Sequence, residues 1–301
     1  MTLDEYAAEV LKSVPVVRIQ GIPWRVARGI LEPLAMPHTM KVVDPTLVRR
    51  AMRETGARIA RWNDTWDTDP CDWWWICCDD RNYDAEKLSS HARRDVRAGL
   101  RRCEVRQVDA AWLAEHAYPV YKAAHTRYGD DVVPVPPDRF AEGMRHAARL
   151  DGHEFWACFA DQTLIAYAHC IVLQNAVNLS SIKSDPDHLK ALPNNALVYV
   201  LTQHYLKARG MLYVTDGSRV VHHATHVQDF LERKMGYRRI YCPLRAIFSP
   251  LARLSVASGV RRWGKYLGLP KMTPETFRKL EAVAILADIA KRCRPHVKPG
   301  R

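Results

Sequence analysis

Phe155-Trp-Ala-Cys-Phe-Ala-Asp-Gln-Thr-Leu-Ile-Ala-Tyr-Ala-His-Cys-Ile-Val-Leu173 is the stretch that decides the fold. An aromatic and small-apolar run stops at Asp161-Gln162, a tight-turn pair, and a second apolar run starts at Leu164. That pattern predicts a β-hairpin with strands at 155–160 and 164–173. A third strand is predicted at 176–182.

Downstream, Lys183-Ser-Asp-Pro-Asp-His-Leu-Lys-Ala-Leu-Pro193 reads as a loop. Asn194-Asn195 then starts a helix whose apolar face is Leu197, Val198, Leu201 and Tyr205, and Gly210 stops it. A strand at 211–215 runs into Asp216-Gly-Ser-Arg219. A helix at 225–235, capped by Thr225, closes at Gly236, and a last strand is expected over 237–248.

Upstream, the order is less clear. Pro15, Pro23, Pro33, Pro37 and Pro45 interrupt residues 1–60, which are expected to be irregular apart from a helix at 44–58. The run from Cys71 to Cys78, with three consecutive tryptophans, reads as a buried strand. Ser89 or Ser90 caps a helix to about Cys103, with Leu88, Ala92, Val96, Leu100 and Cys103 as its buried stripe. A strand at 103–108 and helices at 110–128 and 138–150 follow.

Strand, turn, strand, strand, loop, helix, strand, helix, strand resembles the order of the Gcn5-related N-acetyltransferase fold. Arg93-Arg-Asp-Val-Arg97 with Cys103-Glu-Val-Arg106 is similar to the helix-to-strand entry of the Fem-type transferases. So is the closing unit of Asp216-Gly-Ser-Arg219, Asp229-Phe-Leu-Glu-Arg-Lys234 and Gly236-Tyr237. The resemblance spans roughly residues 70–250. It implies a mixed, splayed sheet flanked by helices, with a degenerate N-terminal half of the same kind and a basic helical C-terminal tail. The implied domains are 1–150, 151–250 and 251–301. It also implies that the sheet opens between the strand before the Asn194 helix and the strand after it, with the helix N-terminus facing the opening.

The same resemblance carries the activity: acyl transfer to an amine. Acetyltransferases that grip coenzyme A show Gln/Arg-x-x-Gly-x-Gly/Ala at this helix start. Here the residues are Lys190-Ala-Leu-Pro-Asn-Asn-Ala196, without either glycine and with a proline that has no amide to donate. Fem-type members lack those glycines because their donor is a charged transfer RNA. The expectation is therefore an aminoacyl-tRNA donor, a small amine acceptor and no tightly bound cofactor. Acetyl- or acyl-coenzyme A is the alternative donor, and a non-catalytic nucleic-acid-binding protein is a third reading.

Amide formation needs a base, donors for the developing oxyanion and a positioned pair of reactants. Asp216 and His223 are the candidate bases. Ser181, Lys183 and Ser184 lie on the strand that supplies carbonyl contacts in this fold. Lys190, Asn194, Asn195 and Gln228 are grouped with the donor site, and Arg219 is expected to clamp a carboxylate or phosphate. His222, His223 and His226 lack a Cys or acid to complete a ligand set, so no metal is expected. Eight scattered cysteines form no Cys-x-x-Cys pair and read as reduced, apolar-like thiols. No Gly-x-Ser-x-Gly elbow is present, which favours direct attack over a covalent intermediate.

The formal charge of +12 is unevenly placed. Residues 233–301 carry seventeen Lys or Arg against three acids. Positive charge concentrated in this way suits a polyanion. Arg238, Arg239, Arg245, Arg253, Arg261, Arg262 and Lys265, with Arg94, Arg97 and Arg101 upstream, are the expected RNA contacts. No apolar run approaches membrane-spanning length and the N-terminus lacks a signal-peptide pattern, so a cytoplasmic location is expected.

Overall fold

Residues 1–60, expected to be irregular, are ordered. The computed structural model, which describes residues 1–127, 133–221, 226–257 and 274–293, begins with helix α1 (Leu3–Leu11). Its cap is a reciprocal pair of hydrogen bonds between Thr2 and Glu5. Strands β1 (Val16–Ile19), β2 (Ile22–Ala27) and β3 (Ile30–Pro33) follow as a meander. The turns are Gln20-Gly21 and Arg28-Gly29, all four residues at positive φ, the geometry that matches strand twist. The prolines fall mostly at element ends. Pro45 opens α2 (Pro45–Thr55), which Asp44 caps and Gly56 ends at φ 70°.

Contacts group the chain into two units. One comprises Met1, Ile76–Gly217 and His226–Arg238; the other comprises Thr2–Trp75, Ser218–Thr225 and Arg239–Arg301. The second holds a five-stranded sheet in the order β1-β2-β3-β4-β12, with β4 at Ile59–Asn63 and β12 at Leu244–Phe248. Trp24, Leu31, Val48, Ala60 and Trp62 form its core. The Glu32 carboxylate bridges Arg25 and Arg61, which hold it below the usual carboxylate range against the upward push of burial. After α9 (Pro250–Ala257), α10 (Pro274–Arg292) packs Leu286, Ile289 and Ala290 against Trp73, Cys242 and Leu244. Its buried face runs through Ala282, Leu286, Ile289 and Ala290.

The first unit is built on a seven-stranded sheet in the order β11-β5-β10-β9-β8-β7-β6. Its strands are β5 (Trp74–Cys78), β6 (Glu104–Val108), β7 (His153–Ala160), β8 (Thr163–Leu173), β9 (Ala176–Ser184), β10 (Tyr213–Ser218) and β11 (Arg238–Tyr241). The hairpin β7–β8 turns at Asp161-Gln162 and β8–β9 at Gln174-Asn175, again with all four residues at positive φ. The last strand, expected to be continuous over 237–248, breaks at Cys242-Pro243 into β11 and β12, which join different sheets. The helix expected at 110–128 is two: α4 (Ala110–His116) and α5 (Tyr118–His125), parted just before Pro119. With α6 (Pro137–Ala147) they cover one face of the sheet through Leu113, Val120, Phe140, Phe155 and Tyr167.

The other face carries α3 (Ser90–Arg102), α7 (Pro193–Gln203) and α8 (His226–Lys234). Ser89 caps α3, and the buried stripe is Ala92, Val96 and Gly99; Leu100, read as buried, is exposed. The reason is close packing. A Cβ on Gly99 would lie 2.9 Å from the Leu192 carbonyl oxygen and 3.3 Å from the amide and Cβ of Ala196. Only a glycine lets α3 sit this tightly on the first turn of α7. Gly99→Ala is expected to cost about 1–3 kcal/mol by overpacking, read as a lowered urea midpoint; an unchanged midpoint would show that the two helices yield freely.

Candidate active site

Two neighbouring strands separate at the centre of the seven-stranded sheet. β9 and β10 run parallel and pair over Tyr213–Ala176, Val214–Val177 and Thr215–Asn178. Beyond that point β9 continues to Ser184 and β10 to Ser218 without pairing to each other. β9 stays on β8 up to Ser184. β10 turns toward β5, where the Thr215 hydroxyl donates to the Ile76 carbonyl at 2.8 Å. Beyond Asn178 the outer edge of β9 therefore no longer pairs with β10. A register slip between His169 and Cys170 leaves Ser180 bulged on this edge, a place where a strand re-aims its groups.

α7 links the two diverging strands, and its first turn is tied to the end of β9. The Ser184 hydroxyl donates to the Asn194 side-chain oxygen at 2.5 Å. Leu192, at φ 61°, sets the entry angle and Pro193 is the first helical residue. The amides of Asn195 and Ala196 both return to the Leu192 carbonyl, at 3.1 and 3.2 Å. Pro193 has no amide hydrogen, so the first turn has the Asn194 N–H to offer a ligand. α3 closes over this turn: besides the Gly99 contact, Arg102 donates to the Lys190 carbonyl at 2.7 Å and Cys103 Sγ lies 3.4 Å from the Ala191 carbonyl oxygen.

Asp216 stands where β10 leaves its pairing. Burial pushes its carboxyl up to about 7, and a hydrogen bond from the buried Gln228 on α8 pulls the other way. A carboxylate poised near neutrality can take a proton and release it at physiological pH. Beside it on this face, the Tyr237 hydroxyl pairs with Thr202 at 2.8 Å, and Gln203 donates to the Tyr199 hydroxyl at 3.1 Å. The Tyr83 ring lies 5.6 Å from Tyr199, with its hydroxyl buried and unbonded. Asn195, Tyr199 and Thr202 are all buried and follow helical spacing along α7. Asn195 is expected at the donor site from the sequence; Tyr199 and Thr202 share its stripe by a spacing visible there, beside the apolar face of Leu197, Val198, Leu201 and Tyr205.

The structure brings Asp216 together with Gln228, and Ser184 with Asn194. It does not put the three β9 residues on one face. Ser181 and Lys183 pair across from His169 and Tyr167, and strand alternation places them opposite Ser184. Lys190 is exposed and Asn195 buried. Arg219 Nη1 donates to the Asp72 carbonyl at 2.6 Å. Arg238 grips Asp79 at 2.6 Å, Arg245 grips Asp64 at 2.5 Å, and Arg239 stacks 4.7 Å above the Trp74 ring. Arg253 is exposed. His223, Arg261, Arg262 and Lys265 lie outside the described residues. Among those residues, no group of three or more His, Cys, Asp or Glu converges as metal ligands, and no helix is long and apolar enough to cross a membrane.

No family model and no curated protein matches this sequence. Solved structures do. The crystal structure of FemX aligns over 83% of this chain and 92% of its own, at 10% identity and a TM-score of 0.58. A C-terminal domain from Agrobacterium fabrum, described as part of a lysylphosphatidylglycerol synthetase, covers 86% of this chain and 95% of its own at 12% identity and a TM-score of 0.50. The chain therefore has the splayed α/β fold that the Fem-type resemblance implied.

The Asp216 environment makes a pH prediction. Its folded carboxyl titrates above the ordinary value of 3.8, so the folded state binds the proton more tightly than the unfolded chain. The associated stability is present below the unfolded value and is lost as pH rises through about 7. Asp216→Asn should therefore gain stability relative to the parent protein between pH 4 and pH 8, followed by urea midpoints. A constant difference across that range would show an ordinary, solvated carboxylate.

Proposed function

We propose that this protein is an acyltransferase that forms an amide bond by direct attack of an amine on an acyl carbonyl held in the wedge between β9 and β10. The proposed donor is an aminoacyl ester on transfer RNA, which places the reaction in the cytoplasm. The observation that carries the reading is the parting of these strands beside a carboxyl group poised near neutral pH. The fold likeness to FemX supports the same reaction class.

In this scheme Asp216, as carboxylate, takes a proton from the incoming ammonium. The freed amine attacks the ester carbonyl, and backbone donors at the edge where β9 leaves β10 stabilise the oxyanion. The ester C–O bond breaks as the amide forms, and the ribose hydroxyl leaves with a proton. Gln228 orients the carboxylate. His223 is the alternative base.

The donor choice rests on the first turn of α7. Pyrophosphate binding at a helix start uses several convergent amides. Here Pro193 has none, Asn195 and Ala196 spend theirs on Leu192, and α3 lies against the turn. That arrangement favours a donor whose phosphates bind elsewhere. Acyl-coenzyme A is the competing reading, motivated by the basic Lys190 beside the same turn; a non-catalytic RNA-binding protein is a third.

The test supplies charged transfer RNA or acetyl-coenzyme A with a mixture of amines and follows products by mass spectrometry. The expected result is acylation from charged RNA, with kcat rising through about pH 7. Asp216→Asn should lower kcat by roughly 10²–10⁴-fold and remove that limb, while His223→Asn should keep it. Transfer from acetyl-coenzyme A alone, or the limb surviving in Asp216→Asn, would overturn the scheme.

A further inference from the structure

α3 carries more positive charge than its packing uses. It holds Arg93, Arg94, Arg97, Arg101 and Arg102 against a single acid, Asp95. Arg94, Arg97 and Arg101 are all exposed. Their spacing of three and four residues puts them in one row along the helix, spanning roughly 10 Å at 1.5 Å per residue. The neighbouring acids do not neutralise the row. Glu86 is shared by Arg93 and Arg97, and the Arg94–Asp95 approach is a loose 3.7 Å. Asp95 also serves Lys234 at 3.2 Å. Exposed pairs of this kind are worth little and exchange readily for other anions.

The row sits on the helix that closes over the first turn of α7. Gly99 and Arg102 make that contact, so the arginines occupy the outer side of the element flanking the candidate site. We infer that the exposed row Arg94–Arg97–Arg101 is the docking surface for the phosphate backbone of the RNA that carries the acyl group. This rests on the acyl-transfer reading and adds to it where the polyanion binds. The row is about as long as the axial distance spanned by four successive phosphates of one strand, at roughly 3.4 Å per step. Planar guanidinium groups hold phosphate oxygens in pairs. A membrane surface is the less suitable partner. Interfacial helices need a free apolar face, and that of α3 is spent on the core through Ala92, Val96 and Gly99.

The test is RNA filter binding over a salt series, using unfractionated deacylated transfer RNA as probe. The proteins are the full chain, the triple variant Arg94→Gln/Arg97→Gln/Arg101→Gln, and a charge-matched control, Arg139→Gln/Arg145→Gln/Arg149→Gln, on and beside α6. Circular dichroism checks that all three fold. The row variant should bind about 10- to 100-fold more weakly near 0.1 M salt and lose about 2 from the slope of log K against log salt. The control should match the parent. An unchanged row variant, or an equal loss in the control, overturns the docking surface while leaving the acyl-transfer reading standing. A parent protein that binds no RNA overturns both. Binding to phosphatidylglycerol vesicles through this row, with none to RNA, also overturns the inference.

Discussion

The structure depends on a failure of pairing. β9 and β10 hold each other for three residues, through Asn178 and Thr215, and then part. Everything useful follows from where the two strands go. β9 remains on β8, with a bulge at Ser180. β10 is drawn to β5 through Thr215 and Ile76. α7, pinned to β9 by Ser184 and Asn194, closes one end of the gap.

Burial and charge then divide the labour. Asp216 is kept near neutrality because burial removes water from it, and among the described residues the hydrogen bond from Gln228 is what opposes that push. The positive charge is elsewhere. Some of it is absorbed by carboxylates, as with Arg238 and Asp79 or Arg245 and Asp64. The arginines of α3 stand outside on solvent, while Gly99 brings the backbone of the same helix onto α7. One helix thus packs its inner face onto the first turn of α7 and carries exposed arginines on its outer face.

The central hairpin is legible because it is written in local chemistry, whereas the wedge follows from the resemblance in element order. Asp161-Gln162 marks a turn, and the apolar runs on either side have strand composition. The missing glycines at 190–196 were equally direct. The prolines of residues 1–60 hide the N-terminal sheet because they read as breakers although they fall mostly at element ends; Gln20-Gly21 and Arg28-Gly29 carry the hairpin signal. The break at Cys242-Pro243 carries a local signal in the proline, but the change of sheet depends on pairing with distant strands that no local pattern contains. Gly99 in place of Leu100 in the buried stripe reflects contact with a distant segment, which no local pattern contains. At the site, Asp216 was found by its place at a strand end, and Gln228 was named without its partner. The split of Ser181 and Lys183 from Ser184 follows from alternation alone.

The most direct measurement of the central claim is an amide chemical-shift titration of the full chain with a short RNA ending in a non-hydrolysable 3′-aminoacylamide. The account predicts that the perturbed backbone amides fall within Leu179–Ser184 of β9 and around Asp216 of β10. Shifts that leave both segments untouched and gather elsewhere would contradict it.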